Sequence, residues 1–268
     1  MFLQSAASGT ALGLLLLVAG DASAGSSPYL GPIPYLSAAD SPFDTKTFGF
    51  CIETFEDGTF DVPGASGDGS VVGPSTLTDS VDADDGSIDG SGQQGHSYFN
   101  GGGTITITFD SNRTGGLPTE VGIVWTDGGL AAPVTFEAFG PTGTSLGLYG
   151  PFEHADLSNN GETAEDRFYG VTDGSGVSKI VVSNTGGGIE VDHLQLDRCI
   201  VCGDTNFDLD VTASDALFAL KTSVGSQTCM LCVCDANDNA TVSVSDALAI
   251  LRKSVGIDVT LNCPSCFL

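Results

Sequence analysis

The sequence is short of positive charge. Lys and Arg number 8 against 34 Asp and Glu, a formal net charge of −26. Such a surface repels nucleic acid and anionic lipid and attracts cations, Ca²⁺ among them. The chain has one Trp and three His, and His96, His154 and His193 stand apart with no H-x-x-x-H spacing. None is therefore expected to be a metal ligand or a catalytic base. No apolar run approaches the roughly 20 residues that a membrane-spanning helix needs. Helical periodicity is missing from the first 200 residues or so. With 41% apolar residues the chain is nevertheless not a disordered acidic polymer.

What the sequence does contain is Gly, 37 of them, with many Thr, Val and Asp. Its 268 residues leave room for one or two domains with a real core. Ala11–Gly20 is an apolar run of signal-peptide length, and Ala22-Ser23-Ala24 is a small-x-small cleavage site. The expectation is a signal peptide over 1–24 and a secreted chain starting near Gly25, although Lys and Arg are absent ahead of the run. The eight cysteines fit export: Cys51, Cys199, Cys202, Cys229, Cys232, Cys234, Cys263 and Cys266. Three pairs have C-x-x-C spacing, but behind a signal peptide disulfides are favoured over zinc. Connectivity is not readable from spacing. Cys51 has no partner in the first part of the chain, and Cys199, just past the last predicted strand, is the expected one.

Residues 25–47 read as an extended Pro/Ser/Ala-rich lead-in. Short strands follow: 48–55, 104–109, 121–125, 134–139, 168–171, 179–183 and 189–196. Ile105, Ile107 and Phe109 alternate onto one face, as do Val134, Phe136 and Ala138. Trp125 is expected in the core. The fold class is mainly β, an antiparallel β-sandwich of jelly-roll type over 48–197. A small α-helical domain of duplicated calcium loops is expected over 198–268.

That duplication is the most informative feature. Asp204–Gly225 and Asp235–Gly256 lie 31 residues apart and share 11 of 22 aligned positions. Oxygen ligands fall at positions 1, 3, 5, 9 and 12, with 7 able to offer a carbonyl, as in a twelve-residue calcium loop. The first loop supplies Asp204, Asn206, Asp208, Asp210, Thr212 and Asp215. The second supplies Asp235, Asn237, Asn239, Thr241, Ser243 and Asp246. More carboxylates in the first loop predict tighter binding there. Position 6, where a sharp turn favours Gly, holds Leu209 and Ala240. Each loop runs into a short helix ending at Gly225 or Gly256. Ala216, Leu217, Leu220 and Val224, matched by Ala247, Leu248, Leu251 and Val255, form the face expected to pack inward.

The tail resembles a dockerin module through the D-x-N-x-D spacing, the Val at position 8 and the Ser-Asp-Ala-Leu helix starts. That resemblance implies two Ca²⁺ sites and docking onto a cohesin-type receptor, often in polysaccharide-degrading assemblies. The missing glycines and the cysteine frame depart from the pattern. The body is similar to exported bacterial domains of the PEP-CTERM kind through 78–92, 121–129, 134–143, 161–171 and 189–196. That likeness implies export and a β fold.

Catalytic signals in the body are weak. Gly143-Thr-Ser145-Leu-Gly147 matches G-x-S-x-G but lies between strands, where a hairpin turn is expected. Glu137 and Glu190 are the least implausible glycosidase pair. Asp79, Asp82, Asp84, Asp85 and Asp89 crowd into eleven residues. They read either as a solvated acidic loop or as a further Ca²⁺ site that is not an EF-hand loop. Glu56, Asp57 and Asp192 mark another possible Ca²⁺ position, by analogy with jelly rolls whose first and last strands adjoin. The expected function is a secreted calcium-binding protein whose tail docks a non-catalytic, glycan- or surface-binding body. A dockerin-bearing polysaccharide hydrolase and an adhesive matrix protein are the alternatives.

Overall fold

The structure is a computed structural model that describes residues 27–47, 49–111, 116–129, 133–155, 157–207 and 210–264. The expected signal peptide, Phe48, Asp208, Leu209 and Cys266 lie outside the described residues. The strands are β1 (Tyr29–Pro34), β2 (Cys51–Glu53), β3 (Ala65–Gly67), β4 (Ser70–Val72), β5 (Ser97–Asn100), β6 (Thr104–Phe109), β7 (Glu120–Gly128), β8 (Val134–Phe139), β9 (Ser145–Phe152), β10 (Arg167–Thr172), β11 (Lys179–Asn184) and β12 (Ile189–Leu196). Three helices follow: α1 (Ala213–Ser223), α2 (Leu231–Cys234) and α3 (Val244–Ser254).

Two antiparallel sheets face each other. One is seven-stranded, β1-β10-β7-β12-β5-β4, with β2 also paired to β12; the other is five-stranded, β3-β6-β11-β8-β9. The predicted alternation is what joins them. Ile105, Ile107, Val134, Phe136, Ala138, Ile180 and Val182 meet Val121, Ile123, Trp125, Tyr169, Val171, Val191 and Leu194 in one buried core. Strands β6, β8 and β12 match the predicted spans to the residue.

The lead-in is a correction. Residues 29–34 form β1 on the edge of the larger sheet, paired with β10. Tyr35 and Phe43 then pack on Val81, Val124 and Phe168 in a second cluster. Together with residues 75–95, this stretch coats the outer face of the larger sheet. The coat explains why every residue of β12 is buried, whereas an antiparallel sheet usually alternates buried with solvated positions. Strands β3, β4, β5 and β9 also escaped the sequence reading. Three of them are three or four residues long, and β9 carries Gly147, Gly150 and Pro151.

Cys51 bonds Cys199, as expected, at the end of the β2–β12 pair. Cys202 bonds Cys263, Cys229 bonds Cys234, and Cys232 is disulfide-bonded as well. These thiols are therefore not zinc ligands. Among the described residues no helix is long and apolar enough to cross a membrane.

Candidate calcium loops and body pocket

Both loops bury the carboxylates at positions 1 and 12. Asp204 is 1% exposed, and Asp215, Asp235 and Asp246 are 0% exposed. The position-1 side chain folds each loop over itself. Asp204 accepts from Phe207 N–H at 2.8 Å. Asp235 accepts from Asn239 N–H at 3.1 Å and from Ala240 N–H at 2.6 Å. Ala240 has φ 64°, so the left-handed turn expected at position 6 forms here on an alanine. Phe207 and Asp238, both at position 4, have φ 61° and 54°, so the two loops bend alike.

Position 12 is also the third residue of a helix. Thr212 and Ser243 cap α1 and α3 and donate, through N–H and hydroxyl, to one oxygen of Asp215 and of Asp246. The other oxygen differs between the loops. In the first, Asp215 Oδ1 accepts from Thr205 N–H and Oγ1–H at 2.9 Å. Burial pushes the Asp215 carboxyl up, and hydrogen bonds from Thr212 and Thr205 more than offset it, holding the group below its ordinary value. In the second loop Ala236 stands where Thr205 does, and Asp246 Oδ1 is buried with no partner. A buried lone carboxylate oxygen is costly without a partner, and a cation supplies one. The second loop thus fits Ca²⁺ through Asp246 Oδ1, whereas in the first both Asp215 oxygens already accept hydrogen bonds. Asn206, Asp210, Asn237, Asn239 and Thr241 are exposed at the loop rims, and Thr212 and Ser243 are half-buried.

The helices correct the predicted packing in part: Ala216 and Ala247 pack inward as expected, and the larger residues of that face do not. Ala216, Ala219, Ala247 and Ile250 are buried with Val233 and Cys234. Leu217, Leu220 and Val224 are 52%, 39% and 70% exposed. Their counterparts Leu248, Leu251 and Val255 are 55%, 41% and 63% exposed. The position-12 carboxylate must point into its loop, and these three residues lie roughly 140–200° around the helix from it. They therefore face outward. Both helices end as predicted. Gly225 N–H donates to Thr222 O and Ser226 N–H to Lys221 O, and Gly256 and Ile257 repeat the pattern on Lys253 and Arg252.

The body holds a 480 Å³ cavity at the β5–β7–β12 end of the larger sheet. Its wall includes Thr78, Phe99, Asp127, Asn159 and Glu190. Glu190 and Asp127 sit directly opposite each other on adjacent strands. Burial pushes the Glu190 carboxyl up to about 7, with Asp127 adding to the rise, while Ser97 Oγ–H and Asp79 N–H donate to it. Sequence reasoning paired Glu190 with Glu137; instead Glu137 lies on β8 in the other sheet and accepts from Ser145 Oγ–H. Gly143 closes the β8–β9 turn and Ser145–Gly147 open β9, so the G-x-S-x-G match lies in a hairpin and not on a strand-to-helix turn.

Each histidine meets a neighbouring side chain. His96 leans on Glu56 at 3.4 Å. His154 meets Tyr169 Oη at 2.9 Å, and burial lowers its pKa to about 4. His193, at a β12 bulge with φ 42°, lies between Tyr35 Oη and Asp84. Asp57 caps its own turn through Thr59. Asp79 and Asp82, 1% and 2% exposed, are not the solvated loop that their spacing allowed.

No family model matches the chain, and no curated protein matches it. Among solved structures it is similar to the K2 cleaved adhesin domain of Lys-gingipain, at 13% identity over 55% of this chain and 97% of that one, with a TM-score of 0.35. It is also similar to a family 6 carbohydrate-binding module, at 18% identity over 56% and 95% of the two chains, with a TM-score of 0.31. The CBM22-1–GH10 modules of Clostridium thermocellum xylanase 10B match at 9% identity over 63% and 31%, with a TM-score of 0.32. Scores this low establish neither a shared family nor a shared ligand.

Proposed function

We propose that the chain is a calcium-binding docking protein. Its tail attaches a non-catalytic, glycan-binding body to a receptor of the cohesin type. The observation that carries this reading is the pair of outward apolar stripes, Leu217-Leu220-Val224 and Leu248-Leu251-Val255, in equivalent positions on α1 and α3. A duplicated stripe left in water is costly unless a partner covers it. The loops set the rotation of those helices, so Ca²⁺ is expected to govern the stripe's presentation. Phe99 and the acceptors Asp127, Asn159 and Glu190 give the body cavity one apolar wall and several hydroxyl-binding groups, which suits a sugar.

The test is binding of the full chain to a panel of cohesin-type modules, in Ca²⁺ and in chelator. The reading expects Ca²⁺-dependent binding, lost at least tenfold in Leu220→Glu/Leu251→Glu. Absence of binding to every module, or binding indifferent to that variant, contradicts it. The Asp127–Glu190 pair favours a second reading, a polysaccharide hydrolase with Glu190 as the acid. Polysaccharide cleavage by the full chain that disappears in Glu190→Gln would select it.

A further inference from the structure

Beneath the coat of the larger sheet lies a layer of acids with almost nothing basic beside it. Three chain segments meet there. Asp79 N–H donates to Glu190 Oε1 at 3.1 Å, and Val81 N–H to Asp192 Oδ2 at 2.8 Å. Thr163 Oγ1–H donates to Asp82 Oδ2 at 2.9 Å. Tyr35 N–H donates to Asp166 O, which ties the coat to the start of β10. Among the described residues, the guanidinium beside this layer is that of Arg167, which donates to the carbonyls of Ala164 and Asp166.

The acids of this layer fall into two kinds. Asp82, Asp192 and Glu190 are hydrogen-bonded as above. Asp84, Asp192 and His193 bring three ligand atoms within 4.8 Å of one another, but they already satisfy each other and Tyr35. Asp79 and Asp166 differ. They are 1% and 0% exposed, and all four of their carboxylate oxygens are buried without a hydrogen-bond partner. Gly92 packs directly against this stretch, where a Cβ would stand 2.8 Å from Asp79 Oδ1 and 2.2 Å from Ser80 O. Burial raises both carboxyls well above their ordinary range, and Asp79 is the charge that Asp166 feels most.

We propose that Asp79 and Asp166 hold a Ca²⁺ ion between the coat and the seven-stranded sheet. Two buried carboxylates with no donors, on segments joined by the Asp82–Thr163 hydrogen bond, are costly to keep ionised in a dry interior unless a cation sits with them. The ligand set is all oxygen, which selects a hard ion over zinc. A site this dry disfavours Mg²⁺, which sheds its water reluctantly. The ion would pin residues 79–85 and 163–166 to β12, and so fix the wall of the cavity that Thr78 and Glu190 line. This site is separate from the tail loops and does not depend on how they are read.

Terbium luminescence tests it, because Tb³⁺ replaces Ca²⁺ and lights up only close to an excited Trp or Tyr. Every Trp and Tyr lies before residue 170, and none is in the tail. Tyr35 adjoins the proposed site through Asp166. The full chain excited at its aromatics is expected to give Tb³⁺ emission that excess Ca²⁺ quenches. Asp79→Asn/Asp166→Asn should lower that emission at least tenfold, and the tail variant Asp215→Asn/Asp246→Asn should keep it. Absence of sensitised emission from the folded wild type overturns the proposal, as does emission that persists in Asp79→Asn/Asp166→Asn. Should that variant fail to fold, the tail variant decides alone. Ca²⁺-displaceable emission from it supports the body site, and its absence means that Asp79 and Asp166 are simply protonated.

Discussion

At the scale of single residues, position 6 of the second loop is the most instructive. Ala240 adopts φ 64°, a conformation that costs an L-residue on the order of 1 kcal/mol relative to Gly. Ala240→Gly is therefore expected to stabilise the chain by about 1 kcal/mol in Ca²⁺, measured by thermal unfolding. A destabilised variant would mean that the loop does not need the left-handed turn. The requirement was legible from the spacing of the ligands alone. The contrast between Asp215 and Asp246 was not. It depends on Thr205 against Ala236, at position 2, where ligand-counting looks for nothing. Charge favours the first loop as the tighter site. The lone Asp246 Oδ1 gives the second a ready ligand of its own.

At the scale of elements, the strands with clean alternation were readable, and Ile105-x-Ile107-x-Phe109 is the clearest case. Strands without it were not. The β1 stretch, Tyr-Leu-Gly-Pro-Ile-Pro, pairs only along one side, where proline is tolerated. The helices show a different failure. Their leucines have a helical period, and hydrophobic period alone assigns them inward. The aspartate that ends each loop fixes the opposite rotation, and the small residues Ala216, Ala219 and Ala247 become the contact. Ile250→Ala is accordingly expected to cost about 2–4 kcal/mol in urea unfolding. Leu251→Ser, one position along the helix, should change stability by less than about 0.5 kcal/mol. Equal losses from the two would mean that the predicted face is the packed one after all.

At the scale of the whole molecule, the excess of acid was obvious from composition, but its distribution was not. A net charge of −26 reads as a solvated surface. Yet Asp79, Asp82, Asp166, Asp192, Asp204, Asp215, Asp235 and Asp246 are all 2% exposed or less. The coat buries the first four by folding two stretches over the larger sheet, a long-range event that no local pattern announces. The four in the tail were foreseeable, because a calcium loop turns its end ligands inward. On the proposed reading, burying so many like charges with so few basic groups makes the stability of both parts rise with added Ca²⁺.

The central claim is that the tail loops hold Ca²⁺. The most direct measurement is the number of ions retained by the full chain after equilibrium dialysis at fixed free Ca²⁺, counted by elemental analysis. The account predicts that Asp215→Asn/Asp246→Asn retains two fewer ions per chain than the wild type. An unchanged count in a folded variant would contradict it.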